Sequence, residues 1–240
     1  MELGKRRWQV DLYEHFAADL PRFAVCCSPL VIGDRVKVSG GGKGRCVVAL
    51  NAGSGKVEWQ ALDDAASTSS AVLFAGGKRP KGGAPDAAFM TPLRLVGLDP
   101  LDGSLRWEHA MAFQPAGTSP TPVVAGDRVV TSTQAHGALA VRVGLKDDKP
   151  AAAPAWQNQE AESCFSSGIP AGERVVLVTN AVQPIPVASM TCLDAKTGKE
   201  LWKQDVGYFH AAVIRTADRE GTGAVEGLRR HARRAGAGRR

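Results

Sequence analysis

No run of the 240 residues approaches the roughly 18 consecutive apolar side chains that a membrane-spanning helix needs. Met1 is followed by Glu-Leu-Gly-Lys-Arg-Arg-Trp8, without the apolar stretch of a secretory leader. The five cysteines, Cys26, Cys27, Cys46, Cys164 and Cys192, are odd in number and fit no zinc spacing. The five histidines, His15, His109, His136, His210 and His231, are scattered without ligand spacing. Neither Gly40-Gly-Gly-Lys-Gly44 nor Gly53-Ser-Gly-Lys56 completes a phosphate-binding loop, because Gly44 and Val57 follow the lysines and no helical pattern comes next. Both read as hairpin turns. Nothing resembles the G-x-S-x-G elbow of a serine hydrolase. A sustained 3.6-residue apolar period is also missing, so helices are few; one short turn of helix is expected within residues 11–20.

What is present is a globular composition: 44% of the residues are hydrophobic, enough for a sizeable core. The formal charge of +6 invites a nucleic-acid reading, but its position argues otherwise. Residues 216–240 hold seven Arg against three acids, so the rest of the chain carries about +2 with both signs interspersed. That is an ordinary solvated surface, and no specific nucleic-acid partner is expected.

The five tryptophans supply a repeat. Trp8, Trp59, Trp107, Trp156 and Trp202 are separated by 51, 48, 49 and 46 residues. Three segments around them align without gaps: Ala49-Leu-Asn-Ala-Gly-Ser-Gly-Lys-Val-Glu-Trp59, Gly97-Leu-Asp-Pro-Leu-Asp-Gly-Ser-Leu-Arg-Trp107 and Cys192-Leu-Asp-Ala-Lys-Thr-Gly-Lys-Glu-Leu-Trp202. Each carries Leu, then Asn51, Asp99 or Asp194, then Gly55, Gly103 or Gly198 four residues before Trp. Gly4-Lys-Arg-Arg-Trp8 is the end of another copy. The copy before Trp156 is degenerate: it keeps Asp148 but puts Pro and Ala where the turn glycine belongs.

A second element lies between the tryptophans. It reads Ser28-Pro-Leu-Val-Ile-Gly-Asp-Arg-Val-Lys-Val38, Thr121-Pro-Val-Val-Ala-Gly-Asp-Arg-Val-Val130 and Gly168-Ile-Pro-Ala-Gly-Glu-Arg-Val-Val-Leu-Val178, with a weaker copy at Ser70–Gly77 and the start of another at His210–Ile214. Apolar, β-branched runs flanking Gly-Asp-Arg are two strands joined by a tight turn. Leu-Asp-x-x-x-Gly is a second hairpin, in which the acid caps turn amides and the glycine takes the left-handed position. Each period therefore holds about four short strands, which is a propeller blade. The predicted fold class is all-β, a partial propeller of four-stranded blades.

The Ala-x-Asp-x-x-Thr-Gly-x-x-x-Trp pattern resembles the tryptophan-docking motif of the PQQ-like β-propellers, the superfamily of the quinoprotein alcohol dehydrogenases and the BamB-like lipoproteins of outer-membrane β-barrel assembly. The resemblance spans roughly residues 1–215. It implies that Trp59, Trp107 and Trp202, with Trp8 and Trp156 as equivalents, stack between neighbouring blades. It also implies a ring of about eight blades, of which this chain supplies about four, and a cell-envelope or periplasmic home for a longer parent whose leader is not in this sequence. Residues 216–240 are read either as a frameshifted stretch or as a genuine basic, disordered tail.

Two functions follow from the resemblance. The first is a non-catalytic scaffold that binds protein partners through loops or exposed strand edges, with no cofactor and with self-association through open blade edges. The second is a PQQ- and calcium-dependent dehydrogenase. Cys26-Cys27 is the tempting pair for that second function, since some quinoprotein dehydrogenases carry a vicinal disulfide against the cofactor; two ordinary strand cysteines are the alternative. A calcium shell of Glu, Asn and Asp with a catalytic Asp is not legible: Asn51, Asp99, Asp148 and Asp194 are explained by turn geometry. No catalytic, cofactor-binding or metal-binding residue is assigned.

Overall fold

The computed structural model describes residues 4–16, 27–77, 84–111, 119–180, 188–206, 213–216 and 224–227. Four antiparallel four-stranded sheets follow one another along the chain, each ordered as its strands occur in sequence. The first blade is β1 (Leu30–Ile32), β2 (Arg35–Ser39), β3 (Val47–Asn51) and β4 (Val57–Ala61). The second is β5 (Val72–Phe74), β6 (Asp86–Met90), β7 (Arg94–Leu98) and β8 (Leu105–Ala110). The third is β9 (Val123–Ala125), β10 (Arg128–Thr133), β11 (Gly137–Lys146) and β12 (Lys149–Asn158), and the fourth is β13 (Ile169–Ala171), β14 (Arg174–Asn180), β15 (Ala188–Asp194) and β16 (Glu200–Asp205). A two-stranded sheet of β17 (Val213–Thr216) and β18 (Ala224–Gly227) comes last, with β17 against β13 and β14 of the fourth blade. A single turn of helix, α1 (Leu12–Phe16), precedes the first blade and is capped by Asp11, whose Oδ1 accepts from the amides of Tyr13 and Glu14.

The two repeated elements fall on the two hairpins of a blade. Gly33-Asp34, Gly126-Asp127 and Gly172-Glu173 join the innermost strand to the second, with glycine φ of 61°, 62° and 64°, the left-handed geometry a two-residue turn requires. Gly40–Gly44 and Gly53–Lys56 lie in the β2–β3 and β3–β4 connections, so both lysine-bearing glycine runs are hairpin turns.

Period-two alternation sends each strand's side chains to two different neighbours. Val47 and Ala49 of β3 pack toward the second blade with Ala87, Phe89, Val96 and Leu98, whereas Val48 and Leu50 pack toward the N-terminal segment with Phe16. Similar clusters join the second blade to the third around Met90, Leu95, Val129 and Val141, and the third to the fourth around Val130, Ala140, Val175 and Leu193. The core is thus divided into layers, one at each blade junction.

The cross-strand register gives every junction the same composition. Directly paired residues share a face, and they form four rows: Leu30–Lys37–Ala49–Trp59, Val72–Ala88–Gly97–Trp107, Val123–Val130–Ala140–Trp156 and Ile169–Val176–Cys192–Trp202. Each row runs aliphatic, variable, small, Trp. Beside every tryptophan the ladder slips by one residue, between Ala49 and Leu50, Gly97 and Leu98, Ala140 and Val141, and Cys192 and Leu193. A bulge inserts one residue and bends the strand; here it falls at the same place beside the tryptophan in all four blades. Lys37 alone puts a cation into a row.

Candidate functional site: the blade junctions and the channel mouth

The repeat turns place glycine where an indole arrives. The Oδ1 of Asn51 accepts from the amides of Gly53 and Ser54 at 3.0 Å each, and that of Asp194 from Lys196 and Thr197 at 3.0 and 2.8 Å. Asp99 Oδ1 accepts from Leu101 at 2.7 Å. The turns close by Gly55, Gly103 and Gly198 donating to the carbonyls of Asn51, Asp99 and Asp194 at 2.8–2.9 Å. These glycines have φ of 72°, 77° and 71°. A Cβ on them would come within 2.7 Å of Trp8, 2.5 Å of Trp59 and 2.4 Å of Trp156, respectively. Each glycine therefore answers two demands, a left-handed backbone and room for a ring from the preceding repeat. The indole of Trp8 donates to Ala52 O at 2.9 Å and that of Trp156 to Ala195 O at 3.0 Å. The corresponding position under Trp59 is Pro100, and the Trp59 indole N–H has no partner.

Trp107 behaves differently. The turn that follows it in the third blade is the degenerate one, so no glycine faces it. Strands β11 and β12 instead run on as a hairpin of two ten-residue strands closed by Asp147 and Asp148, both at positive φ. The missing glycine thus affects Trp107, the tryptophan before the degenerate turn, and leaves Trp156 after it seated on Gly198. Trp107 lies across Gly97 of its own sheet, where a Cβ would be 2.1 Å from the ring, and meets Phe74 edge-on at 6.1 Å. Its indole donates to Asp86 Oδ2 at 2.7 Å. Asp86 is 0% exposed, and its other oxygen takes Arg106 Nη1 at 2.8 Å. Arg106 also grips Asp99, and both acids hold its guanidinium protonated against the opposing effect of burial.

Trp202 is 37% exposed, beside Leu201 at 45%, and all six residues of β16 are exposed. No glycine turn covers it among the described residues.

The starts of the innermost strands form a second site. Two residues before each lies a hydroxyl: Ser28, Ser70, Thr121 and Ser167. The Ser28 amide donates to Ser70 Oγ at 2.8 Å and the Thr121 amide to Ser167 Oγ at 2.9 Å. Between them, Thr68 and Ser119 share a hydroxyl–hydroxyl bond of 3.0 Å, and Ser69 Oγ donates to Pro120 O at 2.9 Å. Consecutive blades are stapled through these bonds around a cavity of about 490 Å³. Sequence reading found the strand starts but not their hydroxyls as a set; the recurring Ser or Thr at this offset was the available signal.

The profile of the family described as outer membrane protein assembly factor BamB matches residues 1–204 and, a second time, 146–220. The chain belongs to this family. Among solved structures, BamB from Moraxella catarrhalis superposes with a TM-score of 0.50 at 14% identity, over 85% of this chain and 61% of that one. The quinohemoprotein alcohol dehydrogenase of Comamonas testosteroni superposes at 0.55 and 13% identity, over 85% of this chain and 39% of that one. ADHIIG of Pseudomonas putida HK5, another quinohemoprotein alcohol dehydrogenase, gives 0.52 at 13%, with 86% and 39% covered. The chain therefore spans about three-fifths of the BamB structure and two-fifths of the two dehydrogenases. These likenesses establish the propeller fold. No curated protein sequence matches significantly.

The fold family includes proteins that hold PQQ with calcium, and the described residues do not fit that pair. Calcium takes six to eight oxygens, carboxylates among them, yet no group of three or more His, Cys, Asp or Glu is placed to hold a metal among the described residues. Among the described residues the channel-mouth cavity is lined by hydroxyls and Phe165, with no charge to meet a polycarboxylate. Cys26 lies outside the described residues, and with it the Cys26–Cys27 pair; Cys27 is a free, half-buried thiol. No described helix is long and apolar enough to cross a membrane.

Proposed function

We propose that this chain belongs to a non-catalytic, protein-binding module of the cell envelope, which engages its partner at the outer strand of the fourth blade. The observation that carries this reading is β16. Elsewhere the outermost strand buries or half-buries its tryptophan at a junction; here Leu201 and Trp202 stand exposed, on a strand that, like every blade's last strand, has no paired neighbour at its outer edge among the described residues. An exposed apolar edge strand is a template for pairing with another chain. The family's description as an assembly factor for outer membrane proteins supports an envelope location and a protein partner. A second copy pairing through the same edge is the self-associating form of the same chemistry.

Photo-crosslinking side chains at positions 201 and 203, with Leu101 on the second blade's turn as an exposed control, test the assignment in envelope preparations. Crosslinks from β16 to a protein of the outer-membrane assembly machinery, absent at Leu101, are expected. Equal yield at the control position would sink the β16 assignment. Quenching of tryptophan fluorescence by PQQ with calcium, followed by dye reduction, would replace the scaffold reading with the dehydrogenase one.

A further inference from the structure

We propose that the channel-mouth cavity is a binding site for a small neutral polyol, of the size of a mono- or disaccharide. Four consecutive blades contribute to it, so its geometry is fixed by the fold. Its volume falls in the range of small-molecule sites. Among the described residues every polar side chain lining it is a serine or threonine, and the remaining wall is Phe165, 43% exposed.

The chemistry of the lining selects the ligand. A charged ligand entering this cavity loses water and meets no opposite charge among the described residues, which is costly. A hydroxyl both donates and accepts, and a polyol presents groups with the same dual capacity. Ser70 and Ser167 use their oxygens as acceptors in the inter-blade staples, which leaves their O–H groups able to donate into the cavity. Ser28 and Thr121 join the staples through their backbone amides alone; their hydroxyls hold no protein partner. Four hydroxyls are thus held in fixed positions with unused capacity. Phe165 adds an aromatic face, whose negative quadrupole suits the C–H face of a sugar ring.

Titration of the full 240-residue chain with maltose and trehalose, followed by saturation-transfer NMR and calorimetry, tests the site. Glucuronate serves as the charged counterpart and trialanine amide as the peptide probe. Saturable binding of a neutral disaccharide with a Kd of about 1–10 mM is expected, with glucuronate at least about tenfold weaker. The double variant S28A/T121V removes two hydroxyls that hold no blade together, so it weakens binding about tenfold at an unchanged Tm. F165L weakens it severalfold. The proposal is overturned by no saturation below about 100 mM, by equal affinity in the double variant, by glucuronate binding as well as its neutral counterparts, or by the peptide probe binding more tightly than either disaccharide.

Discussion

Two kinds of blade junction coexist in this molecule. Where the first blade meets the second and the third meets the fourth, an indole rests on a turn glycine of the next blade: Trp59 on Gly103, Trp156 on Gly198. Where the second meets the third there is no such glycine, and a different set of contacts does the joining. Trp107 is turned to the buried carboxylate of Asp86, the long β11–β12 hairpin lies alongside β8, and Gly76 and Gly77 approach the third blade so closely that a Cβ would stand 1.8 Å from Gly126 O and 2.2 Å from Val143 O. Both arrangements seat an apolar slab between twisted sheets. A glycine turn does it with shape, to which Trp156 adds a bond to the Ala195 carbonyl while the Trp59 N–H stays unpaired. The second-to-third junction does it with a carboxylate, which then needs Arg106 as counter-ion.

The sharpest way to break the comparison is Asp86→Ala. It leaves the Trp107 N–H without its acceptor and half-buried Arg106 short of one anion. Removing one partner of a buried ionic set costs about 3–5 kcal/mol, and urea unfolding should register most of it. Gly103→Ala comes next, at about 2–4 kcal/mol, since the new methyl meets the Trp59 ring at 2.5 Å on a backbone with φ of 77°. The paired control is Trp202→Ala, which deletes the equivalent ring where nothing covers it; a loss of under about 1 kcal/mol is expected. A Trp202→Ala loss as large as that of Gly103→Ala would show that β16 is covered in solution.

Much of this arrangement was legible in the sequence, because it is local and repeated. The five tryptophans, the Leu-Asp-x-x-x-Gly turns and the Gly-Asp-Arg hairpins each depend on a few adjacent residues, so four blades of four strands follow from them. The partnership of each ring with a turn some 40 to 50 residues ahead was not legible, since spacing does not say which neighbour a side chain faces. That is why the degenerate turn directs attention to Trp156, when the ring it leaves without a glycine is Trp107. Asp86 gave no signal either: it stands outside both motifs, and only the β6–β7–β8 register brings it to Trp107. The hydroxyls of the channel mouth sit at the edge of a recognised repeat, yet their significance as a set appears only once four strands are gathered about one axis. β17 crosses the expected boundary after residue 215, and β18 lies beyond it.

Within the glycine-type junctions Lys37 is the exception that tests how apolar the rows must be. It stands where the other rows have Ala88, Val130 and Val176, is 1% exposed, and its Nζ has no partner. Burial, reinforced by the nearby Arg35, lowers its pKa below the ordinary lysine value of 10.5. The folded state therefore releases this proton at lower pH than the unfolded chain, so the penalty is full below the folded pKa and is relieved as pH rises through it toward 10.5. Lys37→Met keeps the length of the side chain and removes the charge; a gain of about 1–2 kcal/mol at pH 7 is expected, shrinking in alkaline buffer. Destabilisation by this substitution would mean that the amine has an acceptor in solution.

An effect confined to alkaline pH belongs to Cys46, on the same side of the first blade, and its sign is opposite. Burial first, and the neighbouring Asp64 second, push its thiol pKa from 9.0 up to about 12. Below pH 9 the thiol is protonated in both states and contributes nothing to the pH dependence. Between about 9 and 12 the unfolded chain ionises while the folded one does not, so stability falls by up to ~1.4 kcal/mol per pH unit across that window. The Cys46→Ala variant should lose less stability than the parent between pH 9 and 10, a difference readable by urea melts at the two values. In the native state Cys46 should also resist alkylation at pH 8, where half-buried Cys27 reacts. Rapid native-state labelling of Cys46 would show that the first junction opens on the labelling timescale, and would place the weak point of the assembly at a glycine-docked junction rather than at the one built on Asp86.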